Sequence, residues 1–202
     1  YTTLDQSGRS VDICLEYLRR GGTDWSPNPD RQTVQSEYAR IGALLGQREI
    51  EDLIDLPLLS DPEVLDTLDI LTEIVTPAFF TDQNLCALVL CRMINLSLEH
   101  GNCDASCYAY VWFATYAGPL FDQYDEGYRF GRLGYGLVEH RNLTRFKART
   151  YTSFGNIVVP WARHVLEGRE PIRRAFRIAS ESGDITYTLY TCCDLIQNLV
   201  SV

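Results

Sequence analysis

The 202-residue chain is 46% hydrophobic and 22% charged, and its 27 acidic against 18 basic side chains give a formal charge of −9. A soluble globular chain of this length buries roughly 70% of its unfolded surface, so disorder and a disulfide-stapled miniprotein are both excluded. The charge is bipolar: Gly46 to Gly101 holds 11 carboxylates against Arg48 and Arg92, whereas Tyr128 to Ser180 holds 11 basic residues against Glu139, Glu167 and Glu170. The net charge opposes approach to a polyanion, so nucleic acid is not an expected partner. Seven cysteines, an odd number with Cys192 and Cys193 adjacent, make a poor disulfide framework and point to a reducing, cytoplasmic setting. The longest apolar runs, such as Cys86 to Cys91, fall far short of the ~20 residues that cross a bilayer, and no membrane is expected. The chain opens at Tyr1 without Met or a targeting signal, as a piece of a longer protein would.

In chain order, the first predicted helix runs from about Leu4 to Leu18, carried by Val11, Leu15 and Leu18, and ends at Gly21-Gly22. Thr23 to Pro29 is a loop, because Pro27 and Pro29 cannot both sit in a helix interior. A second helix follows over about Gln32 to Leu45, then a short one with Ile50, Leu53 and Ile54, stopped by Pro57. Ser60-Asp61-Pro62-Glu63 has the form of a capping box, which starts a helix with Ser60 as cap that runs to Thr76-Pro77. Further helices are read at about 83 to 100, 104 to 118, 122 to 140, 144 to 163, 169 to 182 and 185 to 201. No alternating-polarity strand competes with them, so the expected class is all-α.

A repeat recurs between the helices. Glu99-His100-Gly101-Asn102, Glu139-His140-Arg141-Asn142 and Glu181-Ser182-Gly183-Asp184 are spaced by 40 and 42 residues. Gly can end a helix in the left-handed conformation, and Asn or Asp can cap the next one; Arg141 departs from this pattern. Tyr110, Phe113 and Ala114 align with Tyr151, Phe154 and Gly155, and more weakly with Cys193, Ile196 and Gln197. One helix pair per roughly 41 residues is the mark of an α-solenoid of antiparallel pairs. The expected division is an irregular helical cap over 1–60 and one continuous array over 61–202.

The segments Asp82-Gln83-Asn84-Leu85, Asn95 to Asn102, Tyr108-Ala109-Tyr110-Val111 and Gly127-Tyr128-Arg129-Phe130-Gly131 carry a family resemblance, with Arg48 to Leu53 and Leu56-Pro57-Leu58 in support. They resemble the tetratricopeptide-like region of very large signalling kinases. There it lies between a predicted nucleotide-binding ATPase module and GAF plus histidine-kinase modules, often behind a serine/threonine-kinase-like domain. The resemblance implies a TPR-like architecture and a non-catalytic role in protein interaction and signal relay, with no cofactor. The period of 40 to 42 residues differs from the standard 34, and no Pro closes each repeat.

The candidate binding face follows from the repeat. If Tyr110, Phe113 and Ala114 face inward, the neighbouring face carries Val111 and Thr115, then Arg149, Thr152 and Asn156, then Asp194 and Asn198. Such amide-bearing positions can clamp a peptide backbone in an open groove. The same face can equally be covered by another helix of the protein. A second candidate is the cluster Arg173, Arg174 and Arg177, with Arg141, Arg145, Lys147 and Arg149 in the preceding repeat, which suits an acidic or phosphorylated partner. Such a partner can be another module of the parent protein, or the acidic region of a second copy. The last helix, by its phase, lacks a following partner, so Leu195, Ile196, Leu199 and Val200 should be partly exposed or covered by another copy.

Three alternatives compete. His100, Cys103 and Cys107, with Cys86 and Cys91 on the preceding helix, could hold a metal, but no fourth ligand is obvious and buried Cys behaves as a small apolar residue. A small-molecule sensor would hold its ligand near Trp112, Trp161 or Tyr151. An all-α enzyme would need His100, His140 or His164 gathered in a cleft, or an acidic counterpart for Glu63, Asp66, Asp69 and Glu73 on a second helix. A solvated face and helix-end cations account for these residues without catalysis.

Overall fold

The structure, a computed structural model, describes residues 6–200. Among these the chain is all-helical, with ten α-helices and no strand. It divides into two compact units: residues up to Glu49 with Asp55–Ser106, and Ile50–Ile54 with Cys107 onward. This division does not coincide with the expected boundary at residue 60.

The first unit contains α1 (Ser7–Arg20), α2 (Arg31–Leu45), α3 (Pro62–Thr81) and α4 (Gln83–His100). The expected start of α1 at Leu4 lies outside the described residues. Almost every side chain from Leu85 to Leu98 is buried, because α4 is apolar around its whole circumference and packs against both α2 and α3. Its one buried amide, Asn95, donates to the Glu37 backbone carbonyl at 2.9 Å and to the Glu37 carboxylate at 2.8 Å, which ties α4 to α2. Next, α1 covers the far side of α3 with Val11, Leu15 and Leu18.

Two local expectations are corrected here. The cap of α3 is Asp61, whose carboxylate accepts from the Glu63 backbone N–H at 3.0 Å, and not Ser60. The helix also passes through Pro77 to Thr81, since Pro removes one backbone bond while Pro77 and Ala78 are buried. Gly101 (φ +109°) ends α4 and lets Asn102 form a parallel bridge with Leu58; any Cβ there would collide with the Pro57 carbonyl.

The second unit contains α5 (Asp104–Phe121) from Cys107 on, α6 (Tyr124–His140), α7 (Lys147–Ser153), α8 (Val159–Ala162), α9 (Arg169–Ser182) and α10 (Ile185–Val200). The expected end of α10 at Ser201 lies outside the described residues. Gly127 and Gly134 bring α6 against α5, where a Cβ would meet Ala117 at 2.9 Å and the Cys107 carbonyl at 2.5 Å. Gly131 faces Val158 instead. Phe130 fills the space left between, stacked on Tyr110 and edge-on to Phe113. The short 3₁₀ turn at Ile50–Asp55 joins this unit through Glu51, which pairs with Arg129, and through the Ile54 carbonyl, which accepts from Arg141.

The single helix expected over 144 to 163 is instead broken in three. Between α7 and α8 the backbone widens into a π-helical turn, Phe154–Val158, in which the Val159 N–H bonds the Phe154 carbonyl. Pro160 has no N–H to offer Asn156, and that missing bond accounts for the change of register. At the repeat turns, Gly183 (φ +74°) ends α9 and Asp184 caps α10, accepting from Tyr187 N–H at 3.0 Å. In the Arg141 turn the left-handed residue moves to Asn142 (φ +57°).

Candidate interaction surface

The side of α10 that meets the rest of its unit is Tyr187, Thr191, Asp194 and Asn198, spaced at four, three and four residues. All four are polar-tipped, so the underside of this helix is a hydrogen-bonded seam. The Asn156 amide donates to Asp194 at 2.9 Å. Asn198 donates to the Val165 carbonyl at 2.7 Å and accepts from the Arg169 guanidinium at 3.0 Å. Burial pushes the Asp194 carboxyl up to about 6, because the charged form loses its hydration.

These contacts correct the groove expectation. Asp194 and Asn198 do not line an open channel; they are buried against the π-turn and the 3₁₀ turn at Val165–Gly168. Val111 is wholly buried, clustered with Ala114 and Val158. Thr152 is buried as well, and Thr115 is half-buried with its hydroxyl hidden from solvent. Asn156 remains exposed although its amide is committed to Asp194. Arg149 lies over the rings of Phe146 and Tyr187, at 5.3 and 5.1 Å from their centres. The face that the repeat picks out is therefore shared among helices of the same unit.

The candidate arginines of α9, Arg173, Arg174 and Arg177, separate into two roles. Arg174 points inward, donating to the Tyr135 hydroxyl at 2.7 Å, the Tyr151 hydroxyl at 3.0 Å and the Glu139 carboxylate at 2.9 Å, with Tyr151 also donating to Glu139. Burial raises the Tyr135 phenol, against the opposing pull of Arg174. Arg173 and Arg177 point outward, one turn apart. Together with Glu170 and Phe176 they line an open depression of about 330 Å³. Lys147, Arg174, Arg177, Ile178 and Glu181 line a second of about 180 Å³. Arg177 stands 3.8 Å from Glu170, with both side chains two-thirds exposed, so that pair is weak and readily exchanged for another anion.

Tyr135, Arg169 and Val165 enter these networks without having been singled out in the sequence. Their partners lie 29 to 39 residues away, and only the packing of α6, α7, α9 and α10 brings them together. The remaining candidates disperse. His100 and His140 are exposed at the ends of α4 and α6, and His164 is exposed before a 3₁₀ turn, where its ring nitrogen accepts from Leu166 N–H. Cys86, Cys91, Cys103 and Cys107 are buried, with Cys86 Sγ donating to the Val75 carbonyl at 3.5 Å. Among the described residues no three His, Cys, Asp or Glu side chains are gathered as metal ligands, and no helix is long and apolar enough to cross a membrane. No protein-family model, curated protein or solved structure matches the chain.

Proposed function

We propose that this chain is a non-catalytic protein-interaction and signal-relay segment, built from TPR-like helix pairs, of a multidomain cytoplasmic signalling kinase. The observation that carries this reading is the reuse of one helix face. Tyr110, Phe113 and Ala114 on α5 are buried against α6, and Tyr151 on α7 and Gly155 in the π-turn after it are buried against α9. Tight approaches at Gly127, Gly134 and Gly155 accompany them. Stacked pairs of this kind share one core, so a contact on one pair can alter packing in the next. Because the inner face is occupied by the protein's own helices, partner recognition falls to the outer side of α9. There Arg173 and Arg177 beside Phe176 suit a carboxylate-rich or phosphorylated segment of another protein or of a neighbouring module.

The test uses the full-length parent carrying Arg173→Glu and Arg177→Glu together. Loss of partner-dependent kinase output, with hydrogen exchange in α9 and α10 no longer responding to the partner, is expected. Unchanged output and unchanged exchange would refute the relay.

A further inference from the structure

A cavity of about 330 Å³ opens on the first unit, between the loop that joins α1 to α2 and the side of α4. The loop is fixed in place: Pro27 and Pro29 restrict its backbone, Pro29 is buried, and its carbonyl accepts from the Asn84 amide of α4 at 3.1 Å. Leu88 of α4 and the half-buried Trp25 supply the apolar lining. The charged lining has one sign, since Asp24 and Asp30 contribute carboxylates and no cationic side chain lines the cavity. Asp24 Oδ1 accepts from the Arg19 guanidinium at 2.8 Å, and Asp30 Oδ1 accepts from the Thr33 backbone N–H at 2.7 Å. The bonds from Thr33 hold the Asp30 carboxyl below its ordinary range, so it stays ionised at neutral pH. A carboxylate has about four lone-pair sites, so these contacts position both groups without exhausting what they can accept.

An indole ring, an aliphatic side chain and two positioned carboxylates are the surroundings that a guanidinium fills. Its planar face stacks on the ring, its N–H edge meets the carboxylates and its methylene stem lies along the apolar lining. A lysine ammonium has the charge but no face to stack. The charge around the cavity acts in the same direction: residues 1–101 hold 17 carboxylates against seven arginines, which attracts a cationic segment. We propose that this cavity is a docking pocket for an arginine side chain of a partner polypeptide. The polypeptide source follows from the size of the cavity, which exceeds one guanidinium with its stem, and from the exposed Asn28 beside it, whose amide can hydrogen-bond a flanking backbone. Loop, α2 and α4 supply the whole lining, so the pocket is complete within its unit. The assignment does not depend on whether Arg173 and Arg177 bind an acidic partner.

The test is titration of the 202-residue chain at low salt with the acetylated and amidated peptide Ala-Ala-Arg-Ala-Ala, followed by calorimetry and by the indole N–H resonance of Trp25. Saturable binding that moves this resonance is expected, weakened at least tenfold when citrulline, the neutral isostere, replaces the peptide's arginine. Asp24→Asn with Asp30→Asn should also weaken it at least tenfold, and α2 keeps its cap because Asn caps as well as Asp. Trp25→Ala should cost at least fivefold. Glu63→Gln with Asp66→Asn removes the same charge from exposed positions of α3 and should leave the affinity within twofold. A Trp25 resonance unmoved by millimolar peptide overturns the proposal. So does an equal loss in the two double variants, which would reduce the attraction to the general field of the unit. Undiminished binding of the citrulline peptide overturns the guanidinium, and N-acetylarginine amide binding as tightly as the peptide overturns the polypeptide source.

Discussion

Replacing Gly168 by Ala sets two physical effects against each other. Gly168 has φ −72° and ψ −16°, a helical conformation that Ala adopts without strain, so backbone preference alone favours the substitution by about 1 kcal/mol. Packing opposes it. The new Cβ would stand 2.9 Å from the Gly155 carbonyl carbon and closer still to its oxygen, where real Cβ contacts do not occur. Since the obstacle is backbone, the Val165–Gly168 turn must retreat from the π-turn by about 1 Å. Overpacking of this kind costs roughly 1–3 kcal/mol. The shift also weakens the bond from Asn198 to the Val165 carbonyl, at a further cost of about 1 kcal/mol. The net loss is about 2 kcal/mol, which for a unit of this size lowers the melting temperature by roughly 8–15 °C. Circular dichroism melts would measure it, with Gly42→Ala as the control. Gly42 lies inside α2 with nothing within 4 Å of a new Cβ, so that change should stabilise the other unit by about 1 kcal/mol. A Gly168→Ala protein that melts at or above the wild-type temperature would refute the argument from close backbone approach.

Asp194→Asn tests the seam under α10. Because burial raises the folded-state value to about 6, the folded chain holds this proton more tightly than the unfolded chain, and stability falls as pH rises from about 4 through 6. Asn should flatten that dependence and be about 1 kcal/mol more stable than Asp at pH 7.5, allowing for screening of a carboxylate that still reaches water, as denaturant titrations at about pH 4 and pH 7.5 would show. Asp82→Ala removes the cap that accepts from Leu85 N–H at 2.8 Å and should cost about 1 kcal/mol in the unit built on α4, read from its denaturation midpoint. Arg174→Ala strips Glu139, Tyr135 and Tyr151 of a shared donor and should cost about 1–2 kcal/mol, whereas Arg173→Ala should stay within about 0.5 kcal/mol. Equal effects in thermal melts would contradict the division of roles on α9.

The elements whose apolar spacing and end signals agree were legible in the sequence: α4 and α9 have the expected bounds, and the Gly21 and Gly183 ends fall where Gly predicts them. What escaped was decided by tertiary contact. Pro77 reads as a stop, but the burial of Pro77 and Ala78 carries α3 past it. The region from 144 to 163 reads as one helix because periodicity is blind to a one-residue widening; the missing N–H of Pro160 is local, but the contact of Gly155 with Gly168 that packs the widened turn joins residues 13 apart. The candidate site was legible as a list of residues and not as an arrangement. Asn156, Asp194 and Asn198 were singled out as one face, and two of them do meet, but as partners of each other across packed helices.

The same observation explains why the pattern of α10 was ambiguous. Periodicity reports that one side of a helix is apolar and the other polar; it does not report which side the fold covers. Hydrophobic transfer alone would turn Ile185, Leu189 and Ile196 inward. The opposite outcome occurs because the surface offered by the π-turn, Arg169 and the Val165 carbonyl is polar, and only Asp194 and Asn198 can satisfy its donors and acceptors. An aliphatic face laid there would leave a guanidinium and a carbonyl buried without partners, which costs more than leaving methyl groups in water. Satisfying the seam therefore pushes the aliphatic side outward.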